Sequence, residues 1–265
     1  MKTPKMTADV PRNNLSFCIV GYGQFGQFTH KLIKRYMPGC QVMVLDAVDP
    51  GVLGWRDVAQ CDVIFLAVPI SDYEEVVKSL IPHVSPQTIL VDIATVKLHT
   101  TEVFKRLNPS CRFLSTHPMF GPESYRKMKG NLTGFRIVVT GHNLKLADYT
   151  AVHRFIEGLG IKIVETTADA HDRDLAETLF LTHYVGQVVA NAGFLRTTID
   201  TVSFGFLMDA VDAVRNDGAL FDQVVRYNPY CANVIERFDR SDREIRRKML
   251  AQSSANRSDG MWYPY

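Results

Sequence analysis

Short, nearly continuous apolar runs recur along the first 165 residues, and stretches with helical periodicity lie between several of them. Runs of Val, Ile, Leu and Phe that do not alternate with polar residues are typical of strands buried on both faces of a parallel sheet. We predict strands at 15–20, 41–46, 62–68, 88–92, 112–115, 135–140 and 162–165, and helices at 24–36, 73–80 and 146–159. This alternation predicts a doubly wound α/β sheet.

The pattern changes after residue 165. The rest of the chain shows helical periodicity without a convincing strand, at 168–196, 202–215, 220–237 and 241–252. We therefore predict an α/β domain at 15–166 and an all-helical C-terminal domain at 167–252, flanked by terminal tails at 1–14 and 253–265.

Composition narrows the class of protein. Apolar residues make up 46% of the chain and charged residues 22%, and the net charge is only +2, so we expect a globular protein that binds no nucleic acid. No apolar run reaches the roughly 20 residues of a membrane span, and no signal core is present at the N-terminus. The five cysteines are odd in number and lack CxxC spacing. We expect buried free thiols and a cytoplasmic protein.

A glycine motif follows the first predicted strand directly. Gly21, Gly23 and Gly26 form GxGxxG, with Gln24 and Phe25 between the last two, and the predicted helix opens at the same place. In this context the glycines permit a tight turn, close approach of a pyrophosphate, and close packing of helix on strand. The motif predicts a Rossmann-type dinucleotide-binding domain.

An acidic residue ends the second predicted strand. Asp46 lies 25 residues beyond Gly21 (46 − 21), where a carboxylate can accept hydrogen bonds from the adenosine ribose hydroxyls and repel a 2′-phosphate. We therefore expect NAD rather than NADP as cofactor. Asp49 is a competing candidate, and Asp46 could also be a simple turn residue. Val68 and Pro69, at the end of the third strand, are expected to contact the nucleotide.

Two segments carry residues that a scaffold does not require. They are 91–97, at the end of the fourth predicted strand, and 115–124, after the fifth. Carboxyl ends of parallel strands face the ligand side of such a sheet. His117 precedes Pro118, which favours extended geometry, so a histidine is held at the crevice as a candidate general base. A purely structural His-Pro loop is the alternative.

These motifs resemble a known family. The sequence His-Pro-Met-Phe-Gly-Pro at 117–122, with Asp-Ile-Ala-Thr-Val-Lys at 92–97, Ala-His-Asp-Arg at 170–173 and Phe-Leu-Thr-His at 180–183, resembles the prephenate/arogenate dehydrogenases of tyrosine biosynthesis. The amino-acid sequences of these motifs are most similar to those of the plant arogenate dehydrogenase type. The resemblance extends from residue 15 to about 252 and depends on the order of several motifs.

The resemblance implies oxidative decarboxylation of a cyclohexadienol with hydride transfer to NAD(P)+. It implies that His117 takes the proton of the substrate's 4-hydroxyl and that Thr95, where the family usually has Ser, holds the same oxygen. His183 is expected to face the substrate from the helical domain, although a buried core histidine is the alternative. His171 and Asp172 are expected to be a supporting pair, with Asp172 in the first turn of a helix. No metal is implied.

The sequence departs from the family pattern in its substrate contacts. Ala94 stands where the family often has Gly or Ser. No arginine aligns securely as the clamp for a substrate carboxylate; Arg215 and Arg226 are candidates, and Arg126 or Arg136 could serve instead.

Substrate choice depends on one position. Counting back without gaps from Tyr227 places Asn216 where plant arogenate enzymes are acidic, which favours prephenate, converted to 4-hydroxyphenylpyruvate. The adjacent Asp217 would reverse this preference after a shift of one residue, and arogenate dehydrogenase is therefore the alternative. Two less favoured interpretations are another dehydrogenase with a helical domain and a non-enzymatic dinucleotide sensor. By analogy of fold we expect a homodimer with a small-molecule substrate.

Overall fold

The seven predicted strands are all present, as is the division into an α/β part and a helical part. The computed structural model describes residues 15–46, 54–215 and 217–258, and of 253–258 only the backbone. The strands are β1 Ser16–Val20, β2 Gln41–Leu45, β3 Val63–Leu66, β4 Ile89–Asp92, β5 Arg112–Pro118, β6 Arg136–His142 and β7 Lys162–Glu165. The helices are α1 Gln24–Tyr36, α2 Trp55–Val58, α3 Tyr73–Leu80, α4 Lys97–Leu107, α5 Pro122–Lys127, α6 Leu146–Gly158, α7 Ala168–Leu175, α8 Leu181–Asn191, α9 Val202–Val214, α10 Gly218–Tyr227 and α11 Cys231–Ser258.

The strands form one sheet in the order β2-β1-β3-β4-β5-β6-β7. All neighbouring pairs are parallel except β5 and β6, which are antiparallel. The chain moves from β1 to β2 on one side and to β3 on the other. In open α/β sheets, ligands bind beyond the carboxyl ends of the strands at such a switch point. The predicted Rossmann-type fold is confirmed.

Both faces of the sheet are covered, which explains the continuous apolar runs. Alternate residues of β1 point to opposite faces: Cys18 and Val20 pack with α3 and α4, whereas Phe17 and Ile19 pack with the end of α1. The five cysteines are all buried and free, as predicted.

Strand β5 is longer than the sequence indicated. We predicted its end at residue 115, but it continues to Pro118 because β6 pairs with it in antiparallel register, Thr116 opposite Val139 and His117 opposite Val138. A register shift lies between Ser115 and Thr116. His117 is therefore held within a strand and not in a loop.

A glycine and a proline set two helix boundaries in the second part that differ from the prediction. Helix α7 leads through a π-helical turn at Ala176–Phe180 into α8, which stops before Gly193, a residue with φ of 76° typical of a helix end, and not at 196 as predicted. The prediction of one helix over 220–237 is wrong, because Asn228 precedes Pro229 and takes an extended conformation that separates α10 from α11. The predicted helix at 241–252 lies within α11.

Two compact units divide between Asp172 and Arg173. The first contains the sheet, α1–α6 and the first five residues of α7, and the second contains the rest of α7 and α8–α11. No helix in the described ranges is long and apolar enough to cross a bilayer.

Candidate active site

The glycine loop after β1 has three different environments at its three glycines. Gly21 has φ of 91°, and a Cβ there would lie 2.5 Å from the carbonyl oxygen of Ala67 and 2.9 Å from Val68. A Cβ at Gly26 would lie 2.1 Å from the carbonyl oxygen of Gly21, because α1 packs directly on the end of β1. A Cβ at Gly23 would meet nothing within 4 Å. The loop is thus tight on its protein side and open at Gly23, as a pyrophosphate site requires.

Asp46 is attached to the same loop. Its Oδ2 accepts a hydrogen bond from the backbone N–H of Tyr22, inside the glycine motif. The carboxylate that ends β2 is thereby held beside the loop that follows β1. Asp49 and the rest of 47–53 lie outside the described residues. The open space at Gly23, with Asp46 beside the loop, fits a dinucleotide, and nucleotide contacts of Val68 and Pro69 stay a prediction.

A buried ion pair lies at the carboxyl ends of β4 and β5. Nζ of Lys97 donates to Oδ2 of Asp92 at 2.6 Å and to the carbonyl oxygen of Thr116 at 2.7 Å, and both charged side chains are almost inaccessible to solvent. Oδ2 of Asp92 also accepts hydrogen bonds from the hydroxyls of Thr100 and Ser115. Burial lowers the pKa of Lys97, and the adjacent Asp92 carboxylate opposes this effect.

His117 begins a second buried chain of polar groups. Its Nδ1 lies 3.0 Å from Nε2 of His171, and Nδ1 of His171 lies 2.7 Å from Oδ1 of Asp172. Asp172 accepts two further hydrogen bonds, from the backbone N–H groups of Lys97 and Leu98 at 2.8 and 2.7 Å. The carboxylate therefore caps the N-terminus of α4.

This position corrects one expectation. We expected Asp172 in the first turn of its own helix, but it is the fifth residue of α7. Its charge stabilises a different helix, α4, which begins at Lys97. The adjacency of His171 and Asp172 was the sequence signal, but the helix that the carboxylate caps is 74 to 75 residues away in sequence.

The environment of His117 keeps its imidazole neutral. The side chain is buried, and burial lowers its pKa well below 6.5, with smaller contributions in the same direction from His171 and Lys97. A neutral imidazole at physiological pH can accept a proton.

Thr95 lies half-buried in the segment between β4 and α4, next to buried Ala94. The same segment turns back on Asp92, whose Oδ1 accepts a hydrogen bond from the backbone N–H of Ala94 at 2.9 Å. No hydrogen bond joins Thr95 to His117.

His183 is the candidate residue in the helical unit. It is buried in α8, its ring stacks on Phe221, and its Nδ1 has no hydrogen-bond partner among the described residues. Burial lowers its pKa, and the nearby carboxylate of Asp217 opposes this effect. A buried ring nitrogen without a partner is the kind of atom that a ligand can satisfy.

The four candidate arginines are all exposed. Arg215 forms an ion pair with Asp212 at 3.2 Å, and the guanidinium of Arg226 lies 5.4 Å from the ring centre of Tyr227. Asn216 lies outside the described residues. The described part of the chain contains no group of three or more His, Cys, Asp or Glu side chains that could hold a metal ion.

This chain is similar in sequence to known dehydrogenases. Residues 41–164 match the family model described as prephenate dehydrogenase, nucleotide-binding domain. Arogenate dehydrogenase 2, chloroplastic, of Arabidopsis thaliana is 28% identical over 260 residues, which cover 90% of this chain and 71% of that protein. Arogenate dehydrogenase 1, chloroplastic, of the same plant is also 28% identical, over 85% of this chain but only 38% of its own length.

A solved structure shares the fold. The crystal structure of prephenate dehydrogenase from A. aeolicus, in complex with hydroxyphenyl propionate and NAD+, superposes with a TM-score of 0.68 at 19% identity, over 91% of this chain and 92% of that one. The family model over residues 41–164 and the two plant relatives agree that this chain is similar to the prephenate/arogenate dehydrogenases.

Proposed function

We propose that this protein converts prephenate to 4-hydroxyphenylpyruvate by oxidative decarboxylation, with NAD+ as hydride acceptor. The observation that carries the proposal is His117, a buried histidine with a strongly lowered pKa at the carboxyl end of β5. The glycine loop follows β1 at the same edge of the sheet, three strand positions away, or about 14 Å at the usual strand spacing.

His117 would act as the general base. Its neutral imidazole takes the proton of the substrate's 4-hydroxyl as the C4–H bond breaks. Bound NAD+ would supply the acceptor for the hydride that leaves C4. The bond between C1 and the carboxylate then breaks and carbon dioxide leaves. The electron pair of that bond completes the aromatic ring as a phenolate, and the His117 imidazolium returns the proton to the phenolate oxygen. Thr95 is proposed to hold the same hydroxyl, and substrate binding by His183, Arg215 and Asn216 stays a prediction from the sequence.

The cofactor would be held by the backbone of the glycine loop and by Asp46. The open side of Gly23 supports contact with the pyrophosphate, and the N-terminus of α1 offers N–H groups of Gln24 and Phe25. Asp46, attached to the loop through Tyr22, would accept the ribose hydroxyls and disfavour a 2′-phosphate.

Arogenate is the second candidate substrate. Its ammonium group requires an acidic partner, and the carboxylate of Asp217 acts electrostatically on His183. Two of the relatives are named arogenate dehydrogenases. The preference for prephenate rests on neutral Asn216 in the sequence, so the two adjacent residues support different substrates.

The test is NADH formation at 340 nm with prephenate and arogenate offered separately. Prephenate turnover that Asn216→Asp shifts towards arogenate would support the first substrate. Arogenate turnover that Asp217→Asn abolishes would support the second. NAD binding without turnover of either substrate would contradict the proposed reaction and favour a dinucleotide sensor.

We also infer a homodimer through the helical unit. Five apolar side chains between the end of α8 and the middle of α9 are 59% to 87% exposed: Phe194, Leu195, Ile199, Val202 and Phe206. Such a patch is costly to leave in water and is typical of an interface. Sedimentation equilibrium should give twice the chain mass, and Phe206→Glu should give a monomer.

A further inference from the structure

The hydrogen bonds that join Asp172, His171 and His117 have a defined direction. Both oxygens of Asp172 accept hydrogen bonds from backbone N–H groups at the start of α4, at 2.7 and 2.8 Å. A carboxylate in this position is an acceptor only. The Nδ1 atom of His171, 2.7 Å from Oδ1, must therefore carry a proton and donate it.

The same logic extends to the next imidazole. A neutral histidine protonated at Nδ1 has a lone pair at Nε2 and can only accept there. Nδ1 of His117 lies 3.0 Å from Nε2 of His171, so Nδ1 of His117 is the donor. The lone pair of His117 is then at Nε2. No described residue is hydrogen-bonded to that atom.

We propose that Asp172 and His171 are positioning residues that fix His117 in the Nδ1–H tautomer, so that its Nε2 is the proton acceptor of the reaction. This inference rests on the proposed function, because it concerns the general base of the same site. It extends to two histidines the arrangement by which a single carboxylate orients the imidazole in a Ser-His-Asp triad.

Without this chain the opposite tautomer would be favoured. Free imidazole side chains can exchange between tautomers, and the Nε2–H form of His117 would donate to the substrate hydroxyl instead of accepting its proton. The substrate would still bind, but proton transfer would fail. The three side chains are 0% to 6% exposed, so water does not readily replace a missing member of the chain.

When His117 takes the substrate proton, its positive charge is also accommodated. Nδ1–H of the imidazolium continues to donate to His171, whose own Nδ1–H donates to the negative carboxylate of Asp172. The charge of Asp172 is held in place by the positive end of the α4 dipole. No proton beyond the one from the substrate needs to move.

The first test is the tautomer itself, measured on wild-type protein without turnover. Long-range ¹H–¹⁵N correlation spectra at pH 7.5 distinguish Nδ1–H from Nε2–H imidazoles, and the His117 signals are identified by their loss in His117→Gln. We expect the Nδ1–H form for His117 and for His171. An Nε2–H His117, or an average of the two forms, would overturn the proposal.

The second test uses two substitutions with a matched control. In Asp172→Asn the amide can donate to His171 and reverse both hydrogen bonds. We expect kcat to fall about 10²–10⁴-fold, with KM for the substrate and Kd for NAD+ within about threefold of wild type and His117 converted to Nε2–H. Asp174→Asn, on an exposed carboxylate two residues away, is the control and should match wild type.

His171 provides a rescue experiment that covers poor folding of the Asp172 variant. The side-chain oxygen of His171→Gln can accept from Nδ1–H of His117, whereas His171→Leu cannot. We expect the Gln variant to keep at least tenfold more kcat than the Leu variant, as one general-base interaction allows. Equal kcat in the two would overturn the proposal.

These results separate the tautomer from the reaction. An Nδ1–H His117 in a protein that turns over neither prephenate nor arogenate would leave the positioning inference standing and the proposed function contradicted. Turnover of either substrate by a protein whose His117 is in the Nε2–H form would support the proposed function and contradict the positioning inference.

Discussion

The glycine loop after β1 and the buried polar groups at the carboxyl ends of β4 and β5 differ in the kind of group that they present. The proposed cofactor site after β1 consists mainly of backbone: three glycines shape a loop that is open at Gly23, and one carboxylate, Asp46, accepts a hydrogen bond from it. At the β4 and β5 ends, the groups are charged or titratable side chains buried from water. Electrostatic interactions are stronger where water is excluded, and a buried polar group that loses its partner there costs more free energy than an exposed one. Substitutions at the two ends should therefore fail in different ways.

The largest effect is expected at His117. His117→Asn removes the proposed base but keeps a polar side chain in β5, so kcat should fall about 10²–10⁴-fold while NAD+ binding is unchanged. Stopped-flow NADH formation and NAD+ titration by fluorescence measure the two separately. A kcat within a few-fold of wild type would remove His117 from the reaction.

The buried ion pair should control stability more than chemistry. Lys97→Met keeps the length of the side chain but leaves the Asp92 carboxylate buried without its cation, which costs about 3–5 kcal/mol of unfolding free energy. Urea unfolding monitored by circular dichroism gives the loss. Lys78→Met is the control, because Lys78 forms an exposed pair with Glu74, and pairs of that kind contribute little.

The geometry of the glycine loop could be predicted from the sequence better than that of the buried polar groups at the ends of β4 and β5, for a physical reason. Gly21, Gly23 and Gly26 are neighbours in the chain, and their roles follow from a local turn. Asp172 and Lys97 are 75 residues apart, and only the tertiary structure shows that one caps the helix of the other. No local pattern contains that information.

Two errors about secondary structure also differ in kind. The extension of β5 to Pro118 required its pairing with β6, a non-local partner that periodicity does not show. The break between α10 and α11 was visible in the sequence, because Pro229 restricts Asn228, and the helical periodicity over 220–237 was given too much weight.

A smaller effect than that of the ion pair is expected at Asp46. Asp46→Asn retains an acceptor for Tyr22 N–H but removes the charge, and loss of a hydrogen bond to a charged group costs about 1.5–3 kcal/mol. The affinity for NAD+ should fall and that for NADP+ should rise. Calorimetric titration with both cofactors measures the change. If the preference for NAD+ over NADP+ did not change, the ribose contact would be assigned to Asp49 instead of Asp46.

Within the glycine loop, two substitutions of equal size should differ. The Cβ of Gly26→Ala would lie 2.1 Å from the Gly21 carbonyl oxygen, so backbone must move, at a cost of about 1–3 kcal/mol in stability. Gly23→Ala meets nothing within 4 Å and should leave stability unchanged while weakening NAD+ binding. Thermal unfolding with and without NAD+ distinguishes the two, and equal destabilisation by both would contradict the open site at Gly23.

The smallest effect concerns pH and applies to the wild-type protein. Burial, with His171 and Lys97, places the pKa of His117 well below 6.5, so the free enzyme holds the neutral base both above and somewhat below that pH. As pH falls, kcat/KM should stay on its plateau through pH 6.0 and decline only as His117 becomes protonated. An ordinary histidine with a pKa of about 6.5 would be three-quarters protonated at pH 6.0 and would lose about fourfold in rate.

Folding is linked to the same group with the same sign. Protonation of a histidine whose pKa is depressed in the folded state favours unfolding, so stability is also lost as pH falls. Circular dichroism at each pH separates unfolding from titration at the site. A fourfold decline in kcat/KM by pH 6.0, with the fold intact, would show that His117 is less isolated from water than its burial indicates.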